Sequence, residues 1–354
     1  VFRFLFVAVA LLSLPLRAAE PPSTPALPPV SIIYSSQDSA ALTQLEENAA
    51  VTRRMVDRLI RAVTGQTDSV KAWRSLVSPA DRVGIKVSAA GGRYFSSHRG
   101  VVEAILDGLE QAGIPRSKVI IWDRDLNDLR DAGFTRQKGG YQVGSVPPIT
   151  GYDRTAPFTA PVLGKLIWGD ASFADKQSAS KLGKKIPEAD QLSSTSFLAA
   201  VLSKQVTKVI NVPVLSDEAG CGVAGALYNM TVPNLDNWRR FTQTEGDAAS
   251  GLLDIYADER IGGKVVLTIM DALLAQYAAG PRFNPNYSFA HHTLYASKDP
   301  IALDAHAFRL IEGWRKESKL PSIATRTEWL QLGEQMGLGH FTENKIVVRP
   351  VTAE

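Results

Sequence analysis

The sequence predicts an α/β fold, with a mostly parallel sheet, flanking helices, βαβ units and elaborated loop insertions. Three observations carry that expectation. Short, continuous apolar runs recur, among them Arg82-Val-Gly-Ile-Lys-Val87 and Lys118-Val-Ile-Ile-Trp122. Strands of a parallel sheet are covered on both faces and read this way. A helical pattern lies between those two runs, with Val102, Ile105, Leu106 and Leu109 on one side. Strand, crossover helix and strand within so short a stretch make a right-handed βαβ unit. Finally, each apolar run stops at polar residues, as strands do where they reach the rim of a sheet.

The elements follow in order. Residues 1–19 carry Arg3, an apolar core from Phe4 to Leu14 and small residues at Ala18 and Ala19. That is the layout of a signal peptide, too short for a comfortable membrane span. Residues 20–30 are proline-rich and read as an extended linker. The α/β domain then occupies 31–354, with a division into lobes at 31–190 and 191–354 left open. Ser31 to Tyr34 suits a first strand. Val51, Met55, Leu59 and Val63 recur at helical spacing up to Gly65. After the βαβ unit, residues 139–185 are rich in Gly, Pro, Ser and Lys and suit a loop insertion with short strands.

Phe197 to Leu202 is expected to begin a helix, and Thr207 to Leu215 to form a buried strand. Gly251 to Arg260 suits a helix, and Lys264 to Met270 a strand that stops at Asp271. Thr293 to Ser297 is a short strand. Pro300 to Trp314 is a helix with Pro at its first turn and Asp299 as its cap. Thr327 to Met336 is a further helix and Lys345 to Val351 a last strand.

Composition narrows the function. The chain has 354 residues with a net charge of +3 and no basic block, which argues against a nucleic-acid groove. No segment after the leader is apolar for long enough to cross a bilayer. The single cysteine, Cys221, rules out an intramolecular disulfide and an iron–sulfur cluster held by one chain's cysteines. A lone cysteine is most often buried and inert.

The strand ends supply the candidate site. Lys86 and Ser88 lie at the end of one run, Asp123 at the next, and Asp271 at a later one. Parallel strands direct such residues to a common edge, where α/β proteins place ligands. Lys86, Asp123 and Asp271 are the candidate acid–base residues. Gly220-Cys221-Gly222 resembles an anion-cradling turn, because glycines let N–H groups converge. With Ser88 and Asn229 these form the candidate ligand contacts. His98, His291 and His292 are candidate ligands for a divalent metal such as zinc, nickel or iron. Adjacent residues on a strand point to opposite faces, so His291 and His292 do not easily share one ion. Phe283, Tyr287, Phe289 and Tyr295 are candidate pocket aromatics.

Several segments also resemble, in order and spacing, the bacterial and archaeal family called domain of unknown function 362. They include Val83-Gly-Ile-Lys-Val, His98-Arg-Gly-Val-Val, Val119-Ile-Ile-Trp-Asp and Val209-Ile-Asn-Val-Pro-Val. Gly220-Cys-Gly-Val-Ala-Gly-Ala-Leu-Tyr-Asn, Gly280-Pro and Ala296-Ser-Lys-Asp-Pro-Ile-Ala-Leu-Asp304 continue it, so that it spans residues 81–314. The resemblance implies an α/β fold but no defined activity. Some members look like partners of ferredoxin modules, so a separate redox partner stays open. Two departures stand out. Lys86-Val87-Ser88 stands where the family usually has Lys-Pro-Asn, and Tyr228 precedes Asn229 where a lysine is common. The layout is also loosely similar to the nickel-pincer lactate racemase group.

Two functions are compatible with these residues. One is an exported, periplasmic or secreted protein that is enzyme-like or cofactor-dependent, with redox, racemase-like or transfer chemistry. The other is a non-catalytic, exported periplasmic protein that captures a small anionic or sugar-like ligand.

Overall fold

The computed structural model describes residues 27–136, 138, 140–159, 195–236, 238–241 and 247–352. The leader expected at 1–19, most of the linker and much of the 139–185 insertion lie outside them.

The strands, in chain order, are β1 (Ser31–Gln37), β2 (Leu42–Thr43), β3 (Glu46–Glu47), β4 (Val83–Val87), β5 (Val119–Asp123), β6 (Gln142–Ser145) and β7 (Tyr152–Thr159). They continue with β8 (Thr195–Ala199), β9 (Lys208–Val212), β10 (Val214–Glu218), β11 (Gly222–Val223), β12 (Val265–Gln276), β13 (Ser288–Ser297) and β14 (Ile346–Pro350). The helices used below are α1 (Ala49–Thr64), α2 (Ser69–Leu76), α3 (Arg99–Gln111), α4 (Leu126–Asp131), α5 (Ala226–Met230), α6 (Asp247–Tyr256), α7 (Pro300–Glu317) and α8 (Trp329–Gln335).

One large mixed sheet runs in the order β14-β1-β13-β12-β9-β4-β5-β6, with β10 beside β12 and β11 beside β10. Strands β12, β9, β4, β5 and β6 are mutually parallel. Strand β13 is antiparallel to both its neighbours, and β1 pairs in parallel with β14. The sheet is thus mostly parallel, as expected, and its strands are drawn from both halves of the chain.

Strand alternation decides what each face receives. Val83, Ile85 and Val87 join the core formed with α1, α2 and α3. Trp122, Leu227, Met230 and Leu253 belong to the core on the opposite face. Lys86 alternates with Ile85 and Val87, so it points toward this second layer and α5 rather than toward α3. The register places Lys86 beside Trp122 on β5 and beside Asn211 on β9.

Four expectations change in detail. The run read as one strand over 207–215 is two, β9 and β10, interrupted at Pro213. Proline has no N–H to give to a ladder, and its carbonyl instead accepts from the N–H of Asp271 at 2.7 Å. Strand β12 does not stop at Asp271 but continues to Gln276, because β13 returns beside it over its whole second half. The helix expected from Phe197 is strand β8 followed by a helical turn over Val201–Gln205. The last change concerns the helix expected over 251–260, which spans 247–256.

Asp299 caps α7, accepting from the N–H of Ala302 at 2.8 Å. Inside that helix Asp304 is fully buried and accepts from Ala226 and Leu227, the first N–H groups of α5. Burial pushes its carboxyl up to about 7, against those two hydrogen bonds. Residue Asp304 therefore fixes α5, and α5 carries Asn229 to the rim.

Candidate active site

The centre of the rim is a buried polar cluster. The ammonium of Lys86 donates to Asp123 Oδ1 at 2.6 Å, to Asn229 Oδ1 at 2.9 Å and to the Val87 carbonyl at 2.7 Å. An ammonium has three donors, and all three are spent. Lys86 is itself fully buried. Burial lowers its pKa from the usual lysine value, and the Asp123 carboxylate opposes that shift. The role this geometry gives Lys86 is to orient its neighbours, since it presents no free donor to a ligand.

Asp123 is tied by two further hydrogen bonds. Its Oδ2 accepts from the N–H of Ala89 at 2.7 Å, and its Oδ1 also accepts from the N–H of Arg124 at 2.7 Å. Asn229 donates through Nδ2 to Asn211 Oδ1 at 2.8 Å, and Asn211 donates onward to the Ala226 carbonyl at 2.9 Å. Trp122 donates to Asn234 Oδ1 at 2.8 Å, and Asn234 anchors to the Met230 carbonyl. The network fixes the side chain of Asn229, because each amide end has one partner type only.

Above the cluster lies a cleft of about 680 Å³. Asp123 and Asn229 form its floor, and Ser88, Tyr228, Arg124 and Trp238 line it with Ala279, Gly280, Pro281 and Arg282. The guanidinium of Arg124 sits over the Trp238 ring at 4.8 Å and donates to the Leu235 carbonyl. Burial and the nearby Glu218 carboxylate push the Tyr228 hydroxyl well above its ordinary value, so at neutral pH it donates as a phenol. The 277–287 segment is held in place as the facing wall. The side chain of Gln276 donates to the Arg282 carbonyl and accepts from Asn284 and Ser288, and Asp217 accepts from the N–H of Gly280 at 2.8 Å.

The expected residues divide into groups. Lys86, Asp123 and Asn229 are in contact, and Ser88 lines the same cleft. Asp271 is elsewhere on the rim. Its carboxylate accepts from the backbone N–H of His98 at 2.7 Å and lies 2.9 Å from His98 Nδ1. Residue Asp271 is therefore neither a strand terminus nor a helix cap but the partner of a histidine at the start of α3. Burial opposes the charge on His98, but Asp271 and Glu47 outweigh it and raise the imidazole pKa. Glu47, which the sequence reading missed, accepts from the N–H groups of Gly100 and Val101 at the same helix start. Ser88 and Ser97, joined by the N–H of Ser88 donating to Ser97 Oγ at 2.8 Å, stand between His98 and the cleft.

The glycine turn does not face a ligand. The N–H groups of Gly220 and Cys221 both donate to Glu218 Oε2, at 2.7 and 2.8 Å. The turn does cradle an anion, but that anion is the chain's own carboxylate, so the ligand role expected of Gly220, Cys221 and Gly222 is corrected. Gly222 supplies the turn's positive φ of 80°. Cys221 is buried, donates to the Val223 carbonyl, and burial raises its thiol well above the usual value.

The three histidines do not converge. His291 bonds Tyr295 through Nε2 at 2.8 Å, and burial lowers it to about 4. His292 lies at the irregularity where β13 pairs β12, with φ 56°. His98 belongs to the Asp271 pair. Among the described residues no group of three or more His, Cys, Asp or Glu side chains is placed to hold a metal ion, and the candidates His98, His291 and His292 are not brought together. The aromatic expectation changes as well. Phe283 packs on Tyr94 and Phe95, while Phe289 meets Trp314. The rings that line the cleft are Tyr228 and Trp238. Trp238 and Arg282 carried no sequence signal, because their role depends on where their loops cross the rim.

A family model described as Domain of unknown function (DUF362) matches residues 83–309. None of the curated proteins matches the chain. A crystal structure of a protein from Thermotoga maritima is similar at 10% identity with a TM-score of 0.36. The match covers 84% of this chain and 60% of that one. Among the described residues no helix is long and apolar enough to cross a membrane.

Proposed function

Because the chain belongs to the family of domain of unknown function 362, whose name carries no activity, we propose a function from the geometry of the rim: an enzyme-like protein that binds a small polar metabolite over Asp123 and Asn229. One observation carries this reading. A fully buried lysine spends two donors on aiming a carboxylate and an amide at the floor of a cleft and its third on the Val87 carbonyl. Burying an ammonium is expensive, and a simpler apolar residue would fill the space. Asp123 has an acceptor position to spare for a hydroxyl or amine of the ligand. It is the group assigned to take a proton from that ligand, while Lys86 and Asn229 position it. Arg282 and Tyr228 supply donors on the walls. Trp238, stacked with Arg124, supplies the aromatic side of the cleft for a flat or sugar-like part.

Export to the periplasm or beyond is part of the proposal. It rests on the apolar stretch Phe4–Leu14 followed by Ala18 and Ala19.

A second reading, capture without chemistry, is favoured by the closure of the polar network. The lysine and the Glu218-filled turn have no donor left over for a reacting group. A thermal-shift screen of polar metabolites, alone and with divalent metals, tests both readings, because a ligand that binds only the folded state raises its melting temperature. The expected result is a hit that is turned over by the native protein and bound but not turned over by Asp123→Asn. Binding with no turnover in the native protein would favour capture. A hit indifferent to Asp123→Asn, Asn229→Leu and Tyr228→Ala would remove both.

A further inference from the structure

A second cavity, of about 450 Å³, lies between α1, β1, β13, α7 and the segment after β14. It shares no lining residue with the Asp123 cleft. Its polar wall contains Arg58 from α1, His291 and Tyr295 from β13, and His306 from α7.

Arg58 is unusual for a half-buried arginine. Its Nε and Nη2 are buried and have no hydrogen-bond partner, and it makes no ion pair among the described residues. The neighbouring carboxylate on α1, Asp57, is answered instead by Arg53 and Arg61. The Nε2 of His306 is likewise buried and unpartnered. Burial and Arg309 lower His306 to about 4. Burial also lowers His291, which already shares a hydrogen bond with Tyr295. Both rings are therefore neutral near pH 7, and Arg58 is the cavity's cation. The one carboxylate on its lining, Asp38, caps the N–H of Ala40 at 3.0 Å.

A buried donor left without an acceptor is costly, and more so when it is charged. The acceptor that fits a guanidinium best is a carboxylate, which takes two parallel N–H bonds. The rest of the lining mixes Ser35, Gln37, Thr293 and Thr352 with an apolar side made of Val348, Pro350, Val351 and the ring of Tyr295, which meets His306 edge-on at 4.9 Å. We propose that this cavity binds a small organic carboxylate, held by the Arg58 guanidinium and by His306 Nε2, with its apolar body against Tyr295 and Val351.

Benzoate is a suitable probe, with calorimetry of the full chain as the readout and the imidazole resonances of His306 as an independent one. The expected result is saturable binding to the native protein, accompanied by a shift of the His306 signal. Arg58→Gln should weaken that binding by about tenfold or more, a change of about 1.4 kcal/mol. Asp123→Asn should leave it unchanged. His306→Phe provides a second variant if Arg58→Gln folds poorly, and it too should weaken binding. No saturable binding to the native protein, or equal affinity in Arg58→Gln and His306→Phe, would overturn the proposal. Either result leaves the reading of the Asp123 cleft untouched, because the two cavities have no residue in common.

Discussion

At the scale of single residues, the molecule's main device is a charge hidden to fix other groups. Lys86 demonstrates it, and removing its ammonium exposes the cost. Lys86→Met should leave Asp123 and Asn229 near the cavity floor with an uncompensated buried carboxylate. The expected loss is about 3–5 kcal/mol, read as a lowered urea midpoint at unchanged slope. A loss below about 1 kcal/mol would show the pair to be as weak as a surface bridge. His98 gives a pH signature. Its folded pKa is raised above the usual 6.5 by Asp271 and Glu47, against burial. Stability from the pair is thus complete below pH 6.5 and is lost as pH rises through the raised value. His98→Gln should accordingly cost most in mildly acidic buffer and least in alkaline buffer. A penalty independent of pH would show that the contact does not depend on charge. Much of this was legible beforehand. Lys86, Asp123 and Asn229 could be brought together because strand ends meet at one edge. The partner of Asp271 could not, since His98 stands far away in sequence and its ring reaches Asp271 only through the turn before α3. Nor could the glycine turn reveal that Glu218, two residues before Gly220, already fills it.

At the scale of elements, the segment over 277–287 matters most, because it forms one wall of the cleft. Gly280 marks where it touches β10. A Cβ at that position would run into Ser216 Oγ and the backbone carbonyl of Asp217, and a carbonyl in a paired strand has little room to give. Gly280→Ala should therefore push the segment outward and cost about 1–3 kcal/mol. It should also weaken any ligand of the Asp123 cleft while sparing benzoate binding at Arg58. A variant with native stability and native cleft affinity would refute this view of the wall. The apolar runs revealed the central strands because both their faces are covered. They hid the ends of strands. Asp271 looked like a terminus since a charge in a covered strand is rare, yet His98 satisfies it there. Pro213 looked continuous with its neighbours since it lies in an apolar run, although its missing N–H divides the run in two.

At the scale of the whole molecule, the sheet combines two kinds of construction. Its middle, β12-β9-β4-β5-β6, is parallel and carries the cleft at its carboxyl edge, while β13 reverses direction and joins β1 and β14 to it. The cavity at Arg58 belongs to this added margin, and the Asp123 cleft to the centre. Each margin strand depends on contacts distant in sequence. Among the described residues, strand β1, at residues 31–37, has ladder partners only in β13 and β14, at 288–297 and 346–350. A ribosome makes the chain in the opposite order to the one in which these strands need each other. Strand β1 waits, unpaired, until residues 288–297 have been synthesised, and such long-range closure is slow and exposes a strand edge meanwhile. A nascent chain halted before Ser288 would have a central layer able to pair but an early strand with nothing to join.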